Sequence, residues 1–215
     1  MNTSSPNQFG PPLRYDLRLI AELIEPKTRV LDVGCGDGAL IAHLSSVKNV
    51  DARGIEISQE GVNACVALGL SVIQGDADTD LITYPENAFD YVILGQTLQA
   101  TRDPKKVLQA LLRIGKNAVV SFVNFGHWRN CISLAFQGRT PVPLKTEYHW
   151  YNSPDIHLCT IKDFVNLCDT LDLQIKKCMS LNRNYSTRNI KSRSRFANLF
   201  SQQAIFLLEK KTEFN

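Results

Sequence analysis

The chain has 215 residues, 44% of them hydrophobic, and a formal net charge of +3. That is enough apolar length to build one domain with a proper core, and too balanced a charge to support a general polyanion-binding role. The six cysteines (Cys35, Cys65, Cys131, Cys159, Cys168, Cys178) are scattered and form no CxxC pair, which favours buried thiols in a reducing cytosol over a disulfide frame or a zinc site.

Residues 1–12 are polar and rich in Pro, Ser and Asn. They read as a disordered lead without the basic and apolar parts of a signal peptide. Leu13, Leu17, Ile20 and Ile24 then recur at helical spacing and stop before Pro26. This helix is expected to pack on the sheet or to lid a site. Arg29–Val33 reads as the first strand, Ala39–Ser46 as the first crossover helix and Ala52–Ile57 as the second strand. Ser58 is placed to cap a helix from Gln59 to Leu68 that Gly69 ends, before a short third strand over Ser71–Gln74.

Phe89–Leu94 is a nearly continuous apolar run, as a central parallel strand covered on both faces requires. Asp103 and Pro104 open the next helix as cap and first residue, with Val107, Leu108, Leu111 and Leu112 on its buried face and Gly115 at its end. Asn117–Val123 is the fifth strand. Residues 124–159 are rich in His, Trp, Tyr and Pro and are expected to form an insertion over the carboxyl edge of the sheet, with a short helix over Cys131–Gln137. Thr160 and Asp163 resemble a capping box for a helix running to about Leu171. Leu173–Leu181 and Ala204–Glu209 follow as strands with no convincing helix between them, so they should pair antiparallel. The pattern predicts a doubly wound α/β domain over residues 13–215, with a seven-stranded, mostly parallel sheet whose last strand is antiparallel. No apolar run approaches the ~20 residues of a membrane span. The expected setting is the cytoplasm, with neither a membrane nor a nucleic acid as partner.

The most informative stretch is Val30–Gly38, where a buried strand carrying Asp32 hands over to a helix through Gly34, Cys35, Gly36, Asp37 and Gly38. Backbone amides and the positive end of a helix converge there on one crevice, which suits a nucleoside-bearing cofactor. S-adenosylmethionine (SAM), or its product S-adenosylhomocysteine, needs an acceptor for its amino group, an acid for its ribose diol and a polar contact at adenine N6. Asp32 suits the first. Glu56, 20 positions past Gly36, suits the second, and Asp76 after the third strand suits the last. Ile57 and Ala77 can line the adenine slot. With Gly34, Cys35, Gly36, Gly38 and Gln96 these make the expected cofactor-binding set. The same glycines satisfy the NAD pattern, and Glu56 would serve either cofactor. Asp32, Asp76 and the antiparallel strand pair favour SAM. An empty, vestigial pocket is the third reading.

Gln96 and Gln99 lie in the loop after the fourth strand, where this fold holds the transferred methyl. An Asn/Asp-Pro-Pro-aromatic motif is missing there. His127 and His157 are candidate general bases, since imidazole titrates near neutrality. For each of them a hydrogen-bonded packing residue is the favoured reading. No histidine pair has metal-ligand spacing, and no metal is expected. Arg183, Arg188, Lys191, Arg193 and Arg195 form a basic segment that reads most simply as a solvated loop.

From about Asp16 to Leu208 the sequence resembles the MetW family of methionine-biosynthesis proteins. The likeness includes Arg29–Gly38, Val72–Asp76, Phe89–Leu94 and Gln96–Ala100. It is more specific in Asn124–Arg129, Gly138–Pro141, Ile156–Ile161, Asn198–Phe200 and Gln203-Ala204. Thr140 stands where the family's pattern has Met, and residues 183–195 are less glycine-rich than that pattern. The resemblance implies a class I SAM-methyltransferase-like fold. It also implies a role beside homoserine O-acyltransferase (MetX), which acylates homoserine early in methionine synthesis. Two functions follow as expectations: a SAM-binding accessory partner of that enzyme, or an active methyltransferase on a small acceptor.

Overall fold

A computed structural model describes residues 13–140, 149–153, 155–182 and 186–211. The expected N-terminal lead lies outside them. One eight-stranded sheet runs through the molecule in the order β3-β2-β1-β4-β5-β8-β6-β7. The strands are β1 (Arg29–Val33), β2 (Asp51–Glu56), β3 (Val72–Gln74), β4 (Phe89–Gly95), β5 (Gly115–Val123), β6 (Leu173–Leu181), β7 (Thr187–Asn189) and β8 (Gln203–Lys210). β1 to β5 pair parallel with one another. β8 is antiparallel to both β5 and β6, as two strands without a full crossover helix between them must be.

The eighth strand corrects the expected count of seven. β7 pairs antiparallel with β6 through three residues of the basic segment. Thr-Arg-Asn carries no apolar alternation, because an edge strand this short has little to bury. A six-residue helix, α7 (Arg195–Phe200), also lies between β6 and β8. It buries Ala197 alone, so it leaves no periodic stripe to read.

The helices α1 (Tyr15–Leu23), α2 (Ala39–Lys48), α3 (Gln59–Ala67), α4 (Pro104–Ile114), α5 (Trp128–Gln137) and α6 (Ile161–Thr170) complete the fold. Their signals are local. Ser58 accepts from Gly61 N–H, Asp103 accepts from Lys106 N–H ahead of Pro104, and Thr160 with Asp163 forms a reciprocal capping box. Lys48 Nζ donates to Ala21 O and Ile24 O, both at 2.6 Å. It thus places a cation on the negative end of α1.

Alternation along the strands divides the core in two. Leu31, Val33, Val92 and Leu94 face α4 and α6, where Phe122, Phe164 and Phe206 meet at ring distances of 4.6 to 5.8 Å. Val30, Tyr91 and Ile93 face α1 and α2, against Ile20, Ile24, Ile41 and Leu44. Asp32 has the parity of Val30, so it lies on the α1 side of the sheet.

Asn124, fully buried at the end of β5, joins three elements. Its Nδ2 donates to Asn198 O and Ser201 O, both at 2.7 Å. Its Oδ1 accepts from Gly126 N and Ile161 N. Replacing it with serine should destabilise the fold by about 2 kcal/mol, because buried carbonyls and amides lose their partners. Urea unfolding of Asn124→Ser should show a lowered midpoint at an unchanged slope.

Candidate cofactor site

The carboxyl ends of β1, β2 and β4 carry the candidate site. β1 turns into α2 through Gly34, Gly36 and Gly38, with φ of 76°, 57° and 77°. Side chains rarely adopt these left-handed angles. A Cβ on Gly36 would meet nothing within 4 Å, so the loop's tip faces open space. One on Gly61 of α3 would come within 2.9 Å of Gly36 O and 2.7 Å of Glu56 Cγ. Gly61 therefore lets α3 press against the loop, a requirement that the sequence shows only as an unexplained glycine in a helix.

The loop's amides are largely committed within the protein. Gly34 N and Cys35 N both donate to Ile55 O, at 2.8 and 3.2 Å, and Gly38 N donates to Cys35 O. Gly36 N donates to Glu56 Oε2 at 2.8 Å. The expected crescent of bare donors is thus replaced by a loop tied down on β2. The reason is its tight winding, which turns most of its N–H groups inward.

Glu56, 8% exposed at the end of β2, accepts from Gly36 N with one oxygen and from Ser58 N with the other. A carboxylate offers about four lone-pair positions, so each oxygen keeps one for a further donor. A vicinal diol fits that need. Asp32 is 4% exposed, and among the described residues nothing donates a hydrogen bond to its carboxylate. Burial, reinforced by the charge of Glu56 and opposed by that of Arg14, pushes its pKa up to about 7. A buried acid in this state fits a cationic amino group.

Ile57 is 64% exposed beside Glu56, a bare apolar wall. Across from it, Gly75 N donates to Glu56 O and Gln74 Nε2 to Ile57 O, which brings Asp76 and Ala77 next to the same rim. Asp76 Oδ1 accepts from Asp78 N, and its other oxygen lies 3.9 Å from Arg102. Ala77 packs partly against the core. The Cys35 thiol points the other way. A Cβ on Gly54 would lie 2.6 Å from its Sγ, and burial raises its pKa far above the usual thiol range. Cys35 thus packs under the loop and contributes backbone to the rim.

Gln96 has a left-handed backbone, φ 56°, directly after β4. Its Nε2 donates to Asp16 Oδ2 at 2.6 Å, and the same Asp16 carboxylate is held by Arg14 through bonds of 2.6 and 2.8 Å. Gln96 thus ties the start of α1 to the rim. The sequence reading of this helix rests on its apolar stripe and passes over Arg14 and Asp16. Their signal is a charged pair two residues apart at a helix start. Gln99 is buried and structural: it holds Val123 N, His157 O and the backbone amides of Ile156 and His157.

The two candidate bases have separate partners. His127 caps α5, with Nδ1 accepting from Arg129 N, and burial with the Arg129 charge lowers its pKa. His157 is exposed, with Nε2 at 3.3 Å from Arg102 O. The aromatic cluster that begins at Tyr148 is described only from His149, and there Trp150 and Tyr151 are exposed. α5 buries none of its own residues, and Phe136 is 85% exposed.

The sheet order, the reversed β8 and the acid-flanked glycine rim define the class I SAM-methyltransferase fold. Solved members superpose over nearly the whole chain. A SAM-dependent methyltransferase from Thermotoga maritima gives a TM-score of 0.65 at 14% identity, covering 92% of this chain and 89% of that one. A TehB-like SAM-dependent methyltransferase from Corynebacterium glutamicum gives 0.60 at 17%, covering 94% and 90%. Within that class the chain belongs to the MetW family: the family model described as methionine biosynthesis protein MetW matches residues 14–208. A bifunctional methionine biosynthesis protein MetXA/MetW from Rhodopirellula baltica is 33% identical over 172 residues, 76% of this chain and 28% of that protein. Ajmaline N-methyltransferase from Rauvolfia serpentina is 27% identical over 169 residues, 74% of this chain and 57% of that enzyme. The chain thus spans well under two thirds of the length of these relatives.

Proposed function

We propose that this chain binds SAM at the β1–β2–β4 rim and acts as an accessory partner of homoserine O-acyltransferase in the cytoplasm. The observation that carries the partnership is the Rhodopirellula relative, whose name joins MetXA and MetW in one chain. Linking two modules keeps them at high effective concentration, which favours a pair that works together. Separate chains then need a docking surface of their own. The exposed apolar residues of α5 are suited to that use. SAM is favoured as ligand by an unpartnered buried acid, a doubly anchored Glu56 and an exposed apolar wall, which match an ammonium group, a ribose diol and an adenine ring.

Co-purification with the acyltransferase, and acylation rates measured with and without this chain, test the partnership. A stable complex and a changed rate are expected. No complex and an unchanged rate would remove the accessory role. The likeness to an N-methyltransferase supports a second reading, methyl transfer to a small acceptor. Labelled methyl transfer from SAM into cell extract, abolished by Glu56→Ala, would favour it.

A further inference from the structure

The amino-acid end of SAM presents two charges on one carbon, an ammonium and a carboxylate. Asp32 can take the ammonium. The carboxylate then needs a donor or cation a few ångströms away. The glycine loop is a poor supplier, since the amides of Gly34, Cys35, Gly36 and Gly38 are already bonded within the protein.

Arg14 is the cation placed for the task. Asp32 lies on the face of the sheet that α1 covers, and Arg14 is the N-cap residue of that helix. Its guanidinium grips Asp16 through Nε and Nη2. Among the described residues, Nη1 has no protein partner. Asp16 is in turn held by Gln96, which follows the two β4 residues Leu94 and Gly95. Leu94 pairs with Val33, the residue after Asp32. A Cβ on Gly34 would lie 2.5 Å from Thr97 Oγ1, so this segment touches the glycine loop itself. The chain of contacts therefore runs from Arg14 to the loop without a gap. Among the described residues, Arg14 is also the cation whose charge favours the ionised form of Asp32.

Resting on the SAM-binding reading above, we propose that Arg14 receives the α-carboxylate of the cofactor, with Asp16 as its positioning residue and Gln96 as the tether that docks α1 on the rim. A guanidinium suits a carboxylate because its planar donors match the two oxygens. α1 then acts as a selector for an intact amino-acid tail, which separates SAM from nucleosides that share only its adenosine end.

Calorimetry on the full chain with four ligands tests this: SAM, S-adenosylhomocysteine, decarboxylated SAM and 5′-methylthioadenosine. The wild type should bind SAM at least tenfold more tightly than its decarboxylated form. In Arg14→Ala that preference should collapse to less than twofold, while affinity for 5′-methylthioadenosine stays within twofold of wild type. Arg14→Lys should recover part of the preference, and Asp16→Asn should reduce it. Equal wild-type affinity for SAM and decarboxylated SAM would overturn the assignment without any variant. So would an Arg14→Ala protein that loses affinity for every ligand by the same factor, or for none. A wild type that binds none of the four ligands would instead overturn the SAM-binding reading beneath it.

Discussion

Glu56→Ala should weaken SAM binding at least tenfold and up to several hundredfold, about 1.4 to 3.5 kcal/mol. Two losses add. The ribose hydroxyls lose a charged acceptor, a bond type that contributes about 1.5–3 kcal/mol. Gly36 N and Ser58 N, which Glu56 holds at 2.8 and 2.9 Å, lose the group that fixes the loop and the start of α3. Glu56→Gln separates the two. An amide has one acceptor oxygen where the carboxylate has two, so its NH2 must face a backbone donor, and most of the affinity should still be lost. Gly36→Val reaches the same end by another route. The protein itself leaves room for a side chain there, so the damage comes from left-handed strain of roughly 1–2 kcal/mol and from filling the space the ligand needs. Calorimetry with S-adenosylhomocysteine is the check. Wild-type affinity in both Glu56→Ala and Gly36→Val would overturn the placement of the cofactor.

What the sequence makes legible here is what local chemistry dictates. Asp103-Pro104, Ser58 and the Thr160–Asp163 pair announce helix starts within the residues themselves, and each stands where it was read. The Phe89–Leu94 run marks a strand buried on both faces, because such a strand is apolar at nearly every position, Asp90 being the exception. β7 and α7 escape notice for the opposite reason, since neither buries enough to leave a pattern. The same division runs through the site. Glu56 and Asp32 are readable because their distance from the glycines along the chain is fixed by the strand–loop geometry. The bond between Asp16 and Gln96 joins residues 80 positions apart, and no spacing rule connects them. Nor does sequence reveal that the loop's amides turn inward. That depends on how Ile55 O sits beneath the bend, and any strand residue supplies a carbonyl.

Asp32→Asn should make the ligand-free protein more stable above neutrality while weakening its hold on SAM. Burial, with the nearby Glu56 charge, pushes the Asp32 carboxyl from the usual carboxylate range up to about 7 in the folded protein, and the Arg14 charge opposes the shift. The native state therefore holds the proton more tightly than the unfolded chain does. Below pH 4 both states are protonated, and the group's contribution is fully present. As pH rises through 7 that contribution is lost, because the native state must then carry a buried charge. The loss at pH 8 is on the order of 4 kcal/mol. Asparagine avoids it, so urea unfolding should show Asp32→Asn ahead of wild type by a few kcal/mol at pH 8 and near parity at pH 4. A bound ammonium reverses the balance, since it favours the ionised carboxylate. SAM binding at neutral pH should thus release a proton, and wild-type affinity should climb between pH 5.5 and 7 and flatten above, whereas the residual affinity of Asp32→Asn stays level. The same buried acid that weakens the empty protein is then what makes the site select a cation. A stability gain of equal size at pH 4 and pH 8, or a wild-type affinity indifferent to pH across that window, would show that Asp32 carries no such proton.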